Sequence, residues 1–347
     1  LKTHFGETAW YDWPDQALRD HDPAALAPWR TALAEDIAFH ETVQCWFFAQ
    51  WKALKDHANG LGVGIIGDLP IYVSLDSADV WSERREFLLD ETGKPSRVAG
   101  VPPDYFSEEG QLWGNPLYDW AAMKADGFGW WIRRVEGASR LFDAIRIDHF
   151  RAFERYWSVP AGAESAKEGQ WEKGPGMDLL GVLTNWFPHI TYIAEDLGLL
   201  TPEVHQLRQA AGLPGMKVLE FAFSDPGNAY LPHNYASRRC VCYTGTHDND
   251  TALGWYDHAP ETERAFAERY LGASGREEVR KALLRCGMGS TAELFVAQMQ
   301  DYLALGSEGR INVPGVAEGN WRWRMAPGTA AAALAAEIRT LTETYGR

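Results

Sequence analysis

Short runs of apolar residues recur along the chain, and most end in polar or charged residues. Most runs are apolar at successive positions instead of alternating, a pattern that is typical of parallel strands buried on both faces. We therefore predict six parallel strands. They are 63–68 (VGIIGD), 141–148 (LFDAIRID), 189–196 (HITYIAED), 216–223 (MKVLEFAF), 240–246 (CVCYTGT) and 309–315 (GRINVPG).

Helical patterns fall between these runs. Residues 42–59 carry apolar side chains at helical spacing and precede Gly60, which can end a helix. Residues 201–212 place Pro202 at the first helical position, and 329–345 have one apolar stripe. Alternating strands and helices predict an α/β fold with a parallel sheet. A closed (β/α)₈ TIM barrel needs eight strands, so six predict an incomplete barrel.

One segment, 90–120, has little periodicity and many turn residues. A loop of this length in a compact domain is usually functional or disordered. Its aromatic residues require burial or a ligand, which argues against disorder. They are Tyr105, Phe106, Trp113, Tyr118 and Trp120.

Composition narrows the class of protein. The 347 residues are 46% hydrophobic and 23% charged, which predicts a soluble globular protein. The formal net charge of -15 argues against nucleic acid or an anionic membrane as a partner. No run of about 20 apolar residues indicates a membrane span. The cysteines are predicted to be free thiols in a reducing cytoplasm, and they are Cys45, Cys240, Cys242 and Cys286.

Charged residues follow four of the predicted strands. In parallel α/β folds the carboxyl ends of strands carry the active site, so these residues are candidates for one shared site. Arg146 and Asp148 are two apart and should point to the same side of their strand. The acidic and imidazole groups at the four ends are Asp68, Asp148, Glu195, Asp196, His247, Asp248 and Asp250.

Two chemistries use converging carboxylates. Retaining cleavage of a glycosidic bond needs an ionised nucleophile and a protonated acid, and an arginine beside the nucleophile favours its ionised form. A metal centre is the alternative, although the fixed charge of Arg146 would repel a metal and no H-x-H or H-E-x-x-H spacing occurs. The plausible metal ligands are Asp148, His149, Glu195, His247 and Asp248.

Several segments, in order, resemble the amylomaltases, the 4-α-glucanotransferases of glycoside hydrolase family 77. They are GIIGDLPIYVSLDSADVW, GVPPDYFSEEGQLWGNPLYDW, FDAIRIDHFRAF, YIAEDLG, LPHNY and YTGTHDNDT. The resemblance spans the chain and implies an amylase-type (β/α)₈ barrel with an inserted subdomain. It implies that 1–347 is a partial catalytic barrel domain without its first two strands, and that 82–125 is an inserted loop subdomain covering the active site. The strand edges left unpaired in such a sheet would make the chain prone to aggregation or dependent on a missing half.

The resemblance also implies roles for individual residues. Asp148 matches the nucleophile, Glu195 the general acid/base, and Asp248 the carboxylate that stabilises the transition state. His149 and Asp196 are expected to have structural roles. The expected substrate-binding residues are Asp68, Arg146, His247, Trp113, Asn115, Pro116 and Asn320, and Trp321 lies in a segment near the site.

The implied activity is transfer of α-1,4-glucan segments between maltooligosaccharides by a retaining double displacement. Its substrates and products would be α-1,4-glucans, maltooligosaccharides and glucose, in starch or glycogen metabolism. No cofactor or metal is expected, because the carboxyl groups supply the nucleophile, acid and base. Two alternatives remain at this point: a non-catalytic glucan-binding remnant, and a metal-dependent TIM-barrel hydrolase.

Overall fold

A computed structural model describes residues 1–103, 108–198, 200–316 and 318–347. These residues form two units, Leu1–Leu213 and Pro214–Arg347. The predictions for Tyr105 and Phe106 lie outside the described residues.

The first unit mixes short strands with helices of very different length. Its strands are β1 Ile66–Leu69, β2 Arg97–Val101, β3 Gln111–Pro116, β4 Ala144–Ile147, β5 Arg155–Pro160, β6 Gln170–Lys173 and β7 Thr191–Ala194. Its helices are α1 Gln16–Arg19, α2 Pro23–Ala32, α3 Ala34–Gly60, α4 Ala78–Ser82, α5 Trp120–Ala125, α6 Gly129–Leu141, α7 Met177–Trp186 and α8 Pro202–Ala210.

Three of the predicted strands form a parallel sheet in the order β1-β4-β7. The register places Asp68 opposite Arg146, and Ile147 opposite Ala194. Ile145 and Ile147 are almost fully buried, since helices of this unit cover the sheet. This sheet aligns the carboxyl ends of three strands at one edge.

The segment predicted to be an aperiodic loop contains two strands, so this part of the prediction is wrong. β2 and β3 join β5 and β6 in an antiparallel sheet of order β3-β2-β5-β6. Glycines at 100 and 114 interrupt the side-chain alternation by which strands are recognised. Gly100 has no room for a side chain, because a Cβ there would lie 2.6 Å from the Gln111 carbonyl oxygen.

The long helix α3 extends the predicted 42–59 segment at its amino end, and none of its residues is buried along the described helix. The Trp51 indole nitrogen donates to the Leu141 carbonyl oxygen at 2.8 Å and attaches α3 to the end of α6. Large apolar side chains of the helix remain exposed. They include Phe39, Val43, Trp46, Phe47, Phe48 and Leu54.

The second unit contains a second parallel sheet and, in its described residues, five α-helices. Its strands, in the order β10-β9-β8, are β8 Gly215–Val218, β9 Cys240–Tyr243 and β10 Leu294–Val296. Its helices in the described residues are α9 Ala252–His258, α10 Glu261–Leu271, α11 Arg276–Met288, α12 Met299–Tyr302 and α13 Ala332–Thr344.

Six parallel strands are therefore present in the described residues, but the sixth is not where the sequence indicated. The prediction for 309–315 is wrong: residues 311–316 are irregular, and β10 supplies the pairing to β9. Pro314 lacks an amide hydrogen and Gly315 has a φ of +78°, so the segment turns instead of extending. β10 was missed because the strand is only three residues long.

Candidate active site

Two acidic residues directly follow neighbouring strands of the first unit. The Asp148 amide nitrogen donates to the Leu69 carbonyl oxygen at 3.1 Å. The Glu195 amide nitrogen donates to the Ile147 carbonyl oxygen at 3.0 Å. These bonds continue the parallel pairing one residue past β4 and β7. Both carboxyl groups therefore start from the same edge of the sheet.

The guanidinium of Arg146 connects two of the carboxylates. Its Nη1 lies 2.6 Å from Asp68 Oδ2 and 3.1 Å from Asp148 Oδ1. The arginine is only 7% exposed, whereas about a third of each carboxylate side chain is exposed. The contact with Asp148 agrees with the shared face predicted from the alternation. A permanent cation at this distance favours the ionised form of a carboxylate.

Glu195 has the opposite electrostatic environment. Burial raises the pKa of its carboxyl group to about 8, and the negative charge of Asp148 adds to the shift. Arg146 and the Leu197 amide, which donates to Glu195 Oε1 at 3.1 Å, act in the other direction without cancelling it. At neutral pH, Glu195 is therefore mostly protonated beside a charged Asp148.

The residue after Asp148 has an unusual backbone conformation. His149 has φ 47° and ψ 48°, a left-handed conformation that costs energy in a residue with a side chain. Burial lowers the pKa of its imidazole to about 3, so the ring is neutral. The ring packs edge-on against Trp113, with centroids 4.8 Å apart. Trp113 is therefore in contact with the residue that follows the predicted nucleophile.

The other two predicted residues of the 82–125 segment support the antiparallel sheet and its neighbours. Asn115 Nδ2 donates to the Val73 carbonyl oxygen at 2.9 Å, in the loop that follows β1. Pro116 is buried and lies opposite Val98 in the β2–β3 pairing.

In the second unit, Asp248 lies in the loop between β9 and α9. His247 Nε2 is 3.3 Å from Asp248 Oδ2, and Asn312 Nδ2 donates to Asp248 Oδ1 at 2.6 Å. Arg310 Nη2 donates to the Asp248 carbonyl oxygen at 2.8 Å. Both the side chain and the backbone of Asp248 are therefore held by the 310–312 segment.

Sequence reasoning missed Asn312 and Arg310. Both lie in the segment predicted to be a strand, and their bonds to Asp248 cross more than 60 residues of sequence. No spacing or motif in the chain signals such a contact.

The last predicted residues lie further along the same unit. The Asn320 side chain accepts from the Val313 amide at 3.0 Å and donates to the Val316 carbonyl oxygen at 2.9 Å, so it shapes its own loop. The Trp321 ring lies 5.2 Å from the His247 ring and is 64% exposed.

Other features of the described residues lie apart from these groups. A cavity of about 440 Å³ in the first unit is lined mainly by apolar side chains, including Trp10, Trp13 and Trp81, and by none of the strand-end residues above. In the described part of the chain, no cluster of three or more His, Cys, Asp or Glu side chains could hold a metal ion. No helix of the described residues is long and apolar enough to cross a membrane.

Comparisons with known proteins identify the family. A family model described as 4-alpha-glucanotransferase matches residues 1–330. The chain is 52% identical to a 4-alpha-glucanotransferase of Thermus thermophilus, with 100% of this chain and 71% of the relative aligned. It is 45% identical to a 4-alpha-glucanotransferase of Synechocystis, with 100% of this chain and 69% of the relative aligned.

A solved amylomaltase of Streptococcus agalactiae, in complex with acarbose, matches 100% of this chain and 70% of its own chain, with a TM-score of 0.95 and 38% identity. This match defines a mixed α/β fold of the amylase type. The chain belongs to the 4-alpha-glucanotransferase family, glycoside hydrolase family 77. The resemblance seen in the sequence is thereby confirmed, and neither the binding remnant nor the metal-dependent hydrolase is favoured.

Proposed function

We propose that Asp148 and Glu195 carry out a retaining double displacement that moves α-1,4-glucan segments between maltooligosaccharides. The observation that carries this proposal is the contrast between the two carboxyl groups. Asp148 is paired with Arg146, while the pKa of Glu195 is raised to about 8. A nucleophile must be ionised and a general acid protonated at the same pH, and the Arg146 contact of Asp148 and the raised pKa of Glu195 support this division of roles.

In the first step, an Asp148 carboxylate oxygen attacks the anomeric carbon of the donor glucan. The glycosidic C–O bond breaks, and the leaving oxygen takes the proton of Glu195. The products are a glycosyl ester on Asp148 and an ionised Glu195.

In the second step, the 4-hydroxyl of an acceptor glucan gives its proton to Glu195 while its oxygen attacks the anomeric carbon. The bond to Asp148 breaks and both carboxyl groups return to their starting states. Since no electrons or external protons are consumed, this cycle requires no cofactor.

Water and the acceptor compete for the glycosyl ester, so transfer depends on which reaches it first. We assign the 82–125 segment as the cover that favours the acceptor. The contact of Trp113 with His149 supports this assignment, because it brings the segment next to the nucleophile. Asn115, Pro116 and Asn320 are proposed to keep substrate-binding loops in shape.

The remaining groups are assigned by the family resemblance together with their contacts. Asp68 and Arg146 orient the nucleophile from the first unit. Asp248 is proposed to stabilise the positively charged transition state, with His247 as its neighbour. A cytoplasmic location is proposed because the four cysteines are free thiols.

Replacement of Asp148 by Asn tests the proposal. The variant should lose glucose release from maltotriose by at least about a thousandfold, because an amide cannot form the ester. Asp143→Asn is the matched control: Asp143 accepts from the Ile65 amide at the opposite end of the same strand. Normal formation of longer oligomers by a folded Asp148→Asn variant, seen by chromatography, would rule out the assignment.

A further inference from the structure

The loop that carries His247 and Asp248 is held at both ends by one buried carboxylate. Asp301, in α12, is fully buried. Its Oδ2 accepts from the Thr244 hydroxyl at 2.5 Å, just before the loop. Its Oδ1 accepts from the Ala252 amide at 2.8 Å, at the first residue of α9. One side chain therefore fixes the distance between the two ends of 245–251.

A second side chain from the same segment holds the middle of the loop. Gln298 Nε2 donates to the Thr246 carbonyl oxygen at 3.2 Å and to the Asp250 carbonyl oxygen at 2.8 Å. These two carbonyl groups bracket His247 and Asp248. The backbone on either side of His247 and Asp248 is thus hydrogen-bonded to the side-chain amide of Gln298.

Asp301 is itself anchored through its backbone. Arg280 of α11, which is 8% exposed, donates through Nη1 to the Asp301 carbonyl oxygen at 2.7 Å. Because α11 packs against β10 and α9, the position of Asp301 is set by the core of the unit. The loop is therefore positioned by helices and strands of the core and not by other loops.

Beneath the loop the packing leaves no space. A Cβ on Gly245 would lie 2.7 Å from Glu220 Oε1 and 2.8 Å from Gln298 Nε2. Glu220 is 4% exposed, and burial raises its pKa well above the ordinary value, helped by the charges of Asp301 and Asp250 and opposed by Arg310. The loop backbone at Gly245 thus rests directly on the Glu220 carboxyl group.

Burying a carboxylate is costly unless its hydrogen bonds compensate, so simple packing does not account for Asp301. We propose that Asp301 and Gln298 are positioning residues for the reaction, forming a clasp that fixes His247 and Asp248 in their catalytic orientation. This inference rests on the proposed role of Asp248 and adds the residues through which that role is maintained.

The test is a double-mutant cycle with Asp248→Asn. Asp301→Ala and Gln298→Met should each lower kcat on maltotriose by about 10- to 100-fold, since small displacements of catalytic groups have effects of this size. In the Asp248→Asn background, neither should lower the rate further, because the group they position is already lost. α-Maltosyl fluoride, which has a better leaving group than a sugar hydroxyl, is the substrate with which rates in this background are compared.

Tyr256→Phe is the matched control. It removes one side-chain hydrogen bond, to Glu268 Oε1 at 2.7 Å, from α9 of the same unit. Thermal unfolding of each variant distinguishes a displaced loop from a loss of overall stability. If Asp301→Ala does not fold, the kcat of Gln298→Met tests the proposal.

Two results would overturn the clasp. One is an unchanged kcat in folded Asp301→Ala and Gln298→Met. The other is a loss that multiplies with that of Asp248→Asn, as expected of general destabilisation. Full turnover by Asp248→Asn alone would instead refute the proposed role of Asp248, so the two failures are distinguishable.

Discussion

Raising the pH should remove the proton that Glu195 delivers to the leaving group. The pKa of this carboxyl group is about 8, against an ordinary value of 4.5. At pH 7 a group with a pKa of about 8 is roughly 90% protonated, whereas one at 4.5 is roughly 0.3% protonated. The environment of Glu195 therefore increases the fraction competent for acid catalysis about 300-fold.

The corresponding measurement is kcat/KM for glucose release from maltotriose between pH 6 and pH 10. Since the reaction needs the protonated form, activity should be level below the pKa and fall about tenfold per pH unit above it. The midpoint of the fall should lie near pH 8. The initial rates must be measured well below saturation, so that they report the free enzyme.

Glu195→Gln provides the control, because glutamine keeps the size of the side chain but cannot deliver the proton. Its activity on maltotriose should be low, and the fall near pH 8 should be absent. With α-maltosyl fluoride the first step needs no acid, so the wild-type profile for ester formation should lose the same fall. A fall that persists unchanged in Glu195→Gln, or a wild-type midpoint below pH 6, would refute the assignment.

Three further predictions concern other parts of the chain. Arg146→Met should lower the free energy of unfolding by about 1–3 kcal/mol, because it removes the charged donor that Asp68 and Asp148 share; an unchanged free energy of unfolding in urea titrations would contradict this. Trp113→Ala should raise the ratio of hydrolysis to transfer several-fold, because water would then reach the glycosyl ester more easily. The ratio is measured as reducing ends formed per glucose transferred, and an unchanged ratio would argue against the 82–125 segment as the cover. Gly174→Ala should lower the free energy of unfolding by about 1–3 kcal/mol, because a Cβ there would lie 2.4 Å from two carbonyl oxygens. Gly137→Ala, on the open side of α6, should raise the free energy of unfolding by about 0.5–1 kcal/mol.

Much of the first sheet could be predicted from the sequence, because buried parallel strands have continuous apolar runs. The alternation along β4 also predicted that Arg146 and Asp148 share a side, and their 3.1 Å contact agrees. Such predictions succeed where a local period determines the direction of a side chain.

Long-range contacts could not be predicted in this way. The bond from Asn312 to Asp248 joins residues 64 apart, and the bond from Ala252 to Asp301 joins residues 49 apart. Neither hydrogen bond follows from a regular spacing of residue types along the sequence. β10 is so short that its apolar residues cannot be told apart from a chance run. Glycines in β2 and β3 interrupt the side-chain alternation by which strands are recognised. The family resemblance supplied the roles that these patterns could not.

The exposed helix α3 has a practical consequence. Cys45 lies on it and is exposed, whereas Cys240 and Cys242 are buried and Cys286 is partly buried. A maleimide dye should therefore attach at one position without removal of other thiols. The side chains beside Cys45 on α3 are aromatic and exposed. The emission wavelength of a polarity-sensitive dye on Cys45 would therefore report whether another surface covers this face of the helix.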